Sequence, residues 1–97
     1  MPKKNCSVYV VELADTIGPR KRSAFPNLYV GQTALDPERR LTNHLKGHRA
    51  SRHVRAHGVR LRPELGLSGM TREEAQKAEA ELAQNFRFLG FNVWGGH

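Results

Sequence analysis

Residues 27–45 read Asn27-Leu28-Tyr29-Val30-Gly31-Gln32-Thr33-Ala34-Leu35-Asp36-Pro37-Glu38-Arg39-Arg40-Leu41-Thr42-Asn43-His44-Leu45, and this stretch decides the fold. Asn27–Gln32 sets aromatic and β-branched residues around one glycine, the composition of a strand. Asp36-Pro37-Glu38 then opens a helix: an N-cap side chain, a proline at the first helical position and an acid in the first turn. Gly47 is the expected stop. With Leu41 at zero on a helical wheel, Leu45 falls at about 40°, His44 at about 300°, Arg40 at about 260° and Arg39 at about 160°. Arg40 and His44, four apart, share a face beside the apolar stripe, while Arg39 points to solvent.

Working outward, Cys6–Leu13 is β-branched and aromatic and is expected to be a buried strand. Between the two strands, residues 14–26 carry Gly18-Pro19, Arg20-Lys21-Arg22 and Pro26, a long basic loop closing a hairpin. Downstream, Ser51–His57 is a second short helix stopped by Gly58, and Val59–Arg62 alternates as a third strand ended by Pro63. Thr71-Arg72-Glu73-Glu74 is a capping box, and the helix behind it runs to about Leu89 with Gly90 at its end. Phe91–Trp94 is a short apolar tail that must dock on something. The expected architecture is one α/β (α+β) domain over residues 1–97, with its core at about 6–94: a small three-stranded, mainly antiparallel sheet flanked by helices. Ninety-seven residues leave no room for a second domain.

Charge singles out the middle of this chain. Net charge is +7. Residues 39–62 hold eight basic side chains and no acid: Arg39, Arg40, Lys46, Arg49, Arg52, Arg55, Arg60 and Arg62. A stretch so unbalanced repels itself, and arginine forks onto phosphate, so a phosphate-binding surface is favoured over a merely solvated face. One cysteine, Cys6, excludes a disulfide framework and a cysteine-rich zinc site. The histidine pairs His44/His48 and His53/His57 have helical spacing, but no cysteine or nearby acid joins them, so zinc is not expected. No run is long enough to span a membrane, and a cytoplasmic location is expected.

The last helix puts one carboxylate in an unusual place. With Ala75 at zero, Leu82 lies at about 340°, Phe86 at about 20° and Glu79 at about 40°, so Glu79 falls inside the apolar stripe. A carboxylate aimed at the core is costly unless it is paired, hydrogen-bonded or bound to a metal. Helix geometry alone leaves a structural ion pair and a functional role equally open.

Together these residues carry a resemblance. Tyr9 in Ser7-Val8-Tyr9, Tyr29-Val30-Gly31-Gln32-Thr33, Arg40-Leu41-x-x-His44, Glu79 in Glu74-Ala75-x-x-x-Glu79-x-x-Leu82, and Asn92 resemble the GIY-YIG nuclease domain in order and surroundings. Ser51 and Gly58 are also family-like. The first motif departs from the family pattern, with Ser7-Val8-Tyr9 where Gly-Ile-Tyr is usual. The hairpin loop is long, and one extra residue precedes the arginine, so Arg39 competes with Arg40; the following Leu41 and His44 favour Arg40.

The resemblance implies a metal-dependent endonuclease that hydrolyses phosphodiester bonds, most simply of DNA, duplex or branched. It implies Tyr9, Tyr29, Arg40, His44 and Glu79 as catalytic residues, with one Mg²⁺ or Mn²⁺ held by Glu79. Arg40 would stabilise charge on the phosphoryl oxygens, and Tyr9 or Tyr29, with or without His44, would take a proton from the attacking water. A tyrosine base needs a pKa brought down from about 10. Gly31, Arg39, Lys46, Arg49, Arg52, Arg55 and Asn92 are the expected substrate contacts. With so little chain outside this core, a protein partner could supply specificity. The alternatives are a non-catalytic nucleic-acid-binding module and a nuclease subunit of a larger repair complex.

Overall fold

The structure, a computed structural model, describes residues 3–34, 36–45 and 51–96, and the side chains of these except 43–45. Its centre is strand β1, Cys6–Leu13. Alternate residues of a strand face opposite sides of the sheet, and β1 is apolar on both. Val8 and Val10 join the cluster under the last helix, whereas Tyr9, Val11 and Leu13 join a second cluster on the other face. Burying each valine contributes about 1.5–3 kcal/mol.

Strand β2, Asn27–Thr33, pairs antiparallel with β1 in a register that sets Tyr9 opposite Gly31 and Val11 opposite Tyr29. Helix α1, Pro37–Leu45, follows, with the Arg40 amide bonded to the Asp36 carbonyl at 2.9 Å. Helix α2 is Arg52–His57, and strand β3, Gly58–Leu61, pairs with the Leu13 end of β1. Strand β4, Leu67–Met70, pairs with the Cys6 end of the same β1 edge. Helix α3, Arg72–Leu89, opens on the expected capping box of Thr71 and Glu74 and ends at Gly90. Strand β5, Val93–Gly95, lies parallel to β2 and gives the tail its dock. Both α1 and α2 cover one face of the sheet through Leu41 and Val54, and α3 covers the other through Ala75, Ala83 and Phe86.

The sheet therefore has five strands rather than three. Leu67-Ser68-Gly69-Met70 has little strand propensity of its own and becomes a strand because β1 offers a free edge there. Strand β5 is too short to announce itself and is held by its ladder to β2. A second correction concerns charge. Glu12 on β1 stands opposite Arg60 in the register and pairs with it at 3.3 Å and with Arg62 at 2.9 Å; Arg62 also bonds Glu64. Two of the eight central cations thus have acidic partners that their own segment lacks. Among the described residues, no helix is long and apolar enough to cross a membrane.

Candidate active site

The antiparallel register of β1 and β2 makes Tyr9 and Tyr29 diagonal neighbours on the α1/α2 face of the sheet. Their ring centroids are 6.2 Å apart at 35°. Gly31 leaves the room they occupy: a Cβ there would lie 2.5 Å from the Tyr9 hydroxyl oxygen and 3.0 Å from Tyr29 Cε1. Helix α1 begins just after β2, and its first turn swings Arg40 over this floor. Arg40 is half-buried and hydrogen-bonds the Tyr9 hydroxyl, which also hydrogen-bonds Tyr29. Arg39, one position earlier, is exposed.

Tyr9 itself is 3 % exposed. Burial raises its pKa far above the ordinary tyrosine value, and the nearby Tyr29 raises it further. Arg40 pulls the other way, by charge and by hydrogen bond, without overcoming the desolvation. The Tyr9 hydroxyl is therefore protonated at neutral pH in the protein alone.

Glu79 comes from α3, in the layer on the other side of the sheet. At 6 % exposed it is the only buried carboxylate among the described residues. The C-terminal strand bridges the two layers. Gly95 lies against the Tyr29 ring, and the next residue, Gly96, lies against Ala83 and the Glu79 carbonyl. Among the described residues, no group of three or more His, Cys, Asp or Glu side chains could hold a metal together. A single carboxylate is nevertheless a sufficient protein ligand for a hard cation such as Mg²⁺, which completes its shell with water and phosphate oxygens.

The remaining sequence candidates are dispersed. Arg52 and Arg55 are exposed on α2, whose Val54 packs into the cluster containing Tyr9. Asn92 uses its side-chain amide to hold the hairpin loop, donating to the Pro19 carbonyl at 2.7 Å. The side chain of His44, and the whole of Lys46 and Arg49, lie outside the described residues, as does Gly47. His57 Nδ1 is 2.8 Å from the Thr16 hydroxyl.

Trp94 was not foreseen as part of this face. It stands beside Tyr29 in the parallel β2–β5 register and packs in the same cluster, with the His53 ring 6.5 Å away. Its apolar tail announced burial in the sequence, but nothing local tied it to β2.

The structure thus brings together two tyrosines, an arginine on the Tyr9 hydroxyl and a glycine packed against both rings, with a buried glutamate in the layer across the sheet. No curated protein and no solved structure matches the chain. The GIY-YIG catalytic domain matches residues 7–92, which contain all of these groups. The chain belongs to the GIY-YIG family, whose members are endonucleases that act on DNA.

Proposed function

We propose that this protein is a metal-dependent endonuclease that hydrolyses phosphodiester bonds of DNA. The observation that carries the reading is Arg40 bonded to the hydroxyl of Tyr9 above Gly31, on the face that also bears the basic helix α2. A buried tyrosine and a half-buried arginine are a costly way to pack a sheet and an effective way to meet a phosphoryl group.

In this reading the exposed Arg39, Arg52 and Arg55, with Lys46 and Arg49 beside them in the chain, take backbone phosphates on either side of the scissile one. Arg40 donates to the phosphoryl oxygens as negative charge grows on them. The hydrogen-bonded pair Tyr9 and Tyr29 orients the attacking water; one phenol proton first leaves to solvent, by way of His44 one turn after Arg40, and the phenolate so formed takes the proton of the water. Burial leaves Tyr9 protonated at rest, so proton acceptance by the pair depends on positive charge close by, part of which Arg40 provides. Glu79 would hold one Mg²⁺ or Mn²⁺, which supplies Lewis acidity at the phosphate. Asn92 acts through the loop it anchors.

The test is nicking of supercoiled plasmid by purified protein with Mg²⁺ or Mn²⁺, with and without EDTA. Glu79→Gln should remove cleavage and leave binding to a short duplex intact, since cations do the binding. Binding with no nicking under any metal would identify a nucleic-acid-binding module instead. Unchanged cleavage by Glu79→Gln would end the assignment of that carboxylate.

A further inference from the structure

We propose that Gly95 and Gly96 are positioning residues that seat the Tyr29 ring and the Glu79 turn of α3 against each other. The family match covers residues 7–92, and these two glycines lie just past it. The catalytic consequence rests on the nuclease reading; the geometric one does not.

Both glycines adopt left-handed backbone, each with φ of 74°. Gly95 is the last residue of β5, paired with Val30 of β2, and Gly96 follows it along the same edge. Gly96 donates its N–H to the Val30 carbonyl at 3.0 Å. Arg87 of α3 donates to the carbonyls of Val93 and Gly95 at 3.0 and 3.1 Å, tying the segment to the helix that carries Glu79.

Absence of a side chain is required twice over. A Cβ on Gly95 would overlap the Val30 carbonyl oxygen and stand 3.0 and 3.2 Å from Cε2 and Cζ of Tyr29. A Cβ on Gly96 would overlap the Ala83 methyl and come within 3.6 Å of the Glu79 carbonyl. A side chain on the first would therefore meet the ring of one proposed catalytic residue, and a side chain on the second would meet α3 at Ala83, beside the backbone of another. The tail is the spacer that sets the separation between them, and a spacer one methyl thicker at either position changes it.

A matched control exists in the same molecule. Gly69 has nearly the same backbone, φ of 73°, with nothing within 4 Å of its Cβ position. Gly69→Ala thus carries the left-handed strain alone, and Gly95→Ala carries that strain plus the collision. The experiment compares both full-length variants with wild type by NMR of the Tyr29 ring, by emission of the chain's one tryptophan, Trp94, and by cleavage kinetics well below each melting temperature.

Gly95→Ala should shift the Tyr29 ring signals and Trp94 emission and lower kcat by about 10²-fold with KM little changed, the expected result of misplacing a reacting group by about 1 Å. Gly69→Ala should lower the melting temperature and leave the ring signals and kcat as in wild type. Wild-type Tyr29 signals in a folded Gly95→Ala protein, or equal kcat losses in both variants, would overturn the proposal. Should Gly95→Ala fail to fold, Gly96→Ala decides. It should perturb Tyr29 and Trp94, and adding Ala83→Gly, which removes the overlapping methyl, should restore them; no restoration overturns the proposal. If wild type cuts no DNA, the nuclease reading falls, and the Tyr29 signals still decide this one.

Discussion

Replacing Gly31 by alanine should damage catalysis far more than stability. A Cβ at this position lies 2.5 Å from the Tyr9 hydroxyl oxygen, 2.6 Å from its Cζ and 3.0 Å from Tyr29 Cε1. Non-bonded carbon atoms settle at about 3.5–4.0 Å, so the hydroxyl end of Tyr9 must withdraw by about 1 Å. The backbone adds no strain, because Gly31 is not among the residues with positive φ. Alanine in a strand even recovers about 0.5–1 kcal/mol relative to glycine. Overpacking a dense site costs about 1–3 kcal/mol, which leaves a net loss of about 0–2.5 kcal/mol. For a chain of this length that lowers the melting temperature by up to roughly 20 °C. The effect on cleavage should be about 10²-fold, because Tyr9 is the partner of Arg40 and an error of about 1 Å in a reacting group has that consequence. Single-turnover nicking under saturating protein, at a temperature where both proteins are folded, reads the chemical step alone. Tyr9→Phe removes the atom nearest the new methyl, so Gly31→Ala should cost less further activity in that background than in wild type. A folded Gly31→Ala protein that cuts at the wild-type rate would refute the placement of the Tyr9 hydroxyl in the site.

Arg40→Ala should abolish cleavage and spare most DNA binding, while the exposed Arg39→Ala should weaken binding mildly and keep cleavage; single-turnover rates and duplex-binding isotherms check the ranking, and the reverse ranking would refute it. Duplex affinity should fall with salt with a log–log slope of about −4.5, for up to five phosphates met by Arg39, Lys46, Arg49, Arg52 and Arg55. A flat response would remove the phosphate surface, and a slope near about −6 would show that Arg60 and Arg62 leave Glu12 for DNA. Tyr9 also predicts an alkaline limit to stability. Its folded pKa is raised, so both states hold the proton below about pH 10, whereas above it the unfolded chain releases a proton that the fold retains. Stability is lost as pH rises through that range, and the melting temperature of Tyr9→Phe should fall less steeply there than that of wild type.

Local signals carried much of this protein. The strand of Cys6–Leu13, the Asp36-Pro37 helix start, the Thr71/Glu74 capping box and the placement of Glu79 in an apolar stripe all depend on neighbours within a few residues, and all appear in the structure. Glu79 stood out as an odd residue for its local setting, whereas Tyr9, Tyr29 and Arg40 are ordinary residues of a strand and a helix and stood out through the motif they form together. What required tertiary structure was every property created by distant segments. The Leu67–Met70 and Val93–Gly95 strands exist only because β1 and β2 have edges to offer. Glu12 neutralises cations 48 and 50 residues away, so the charge of residues 39–62 overstated the surface free for phosphate. The raised pKa of Tyr9 comes from a burial that spacing cannot express. Gly95 and Gly96 carry no local signal, because the Tyr29 ring, the Val30 carbonyl and the Ala83 methyl that forbid them a side chain come from two other elements of the fold.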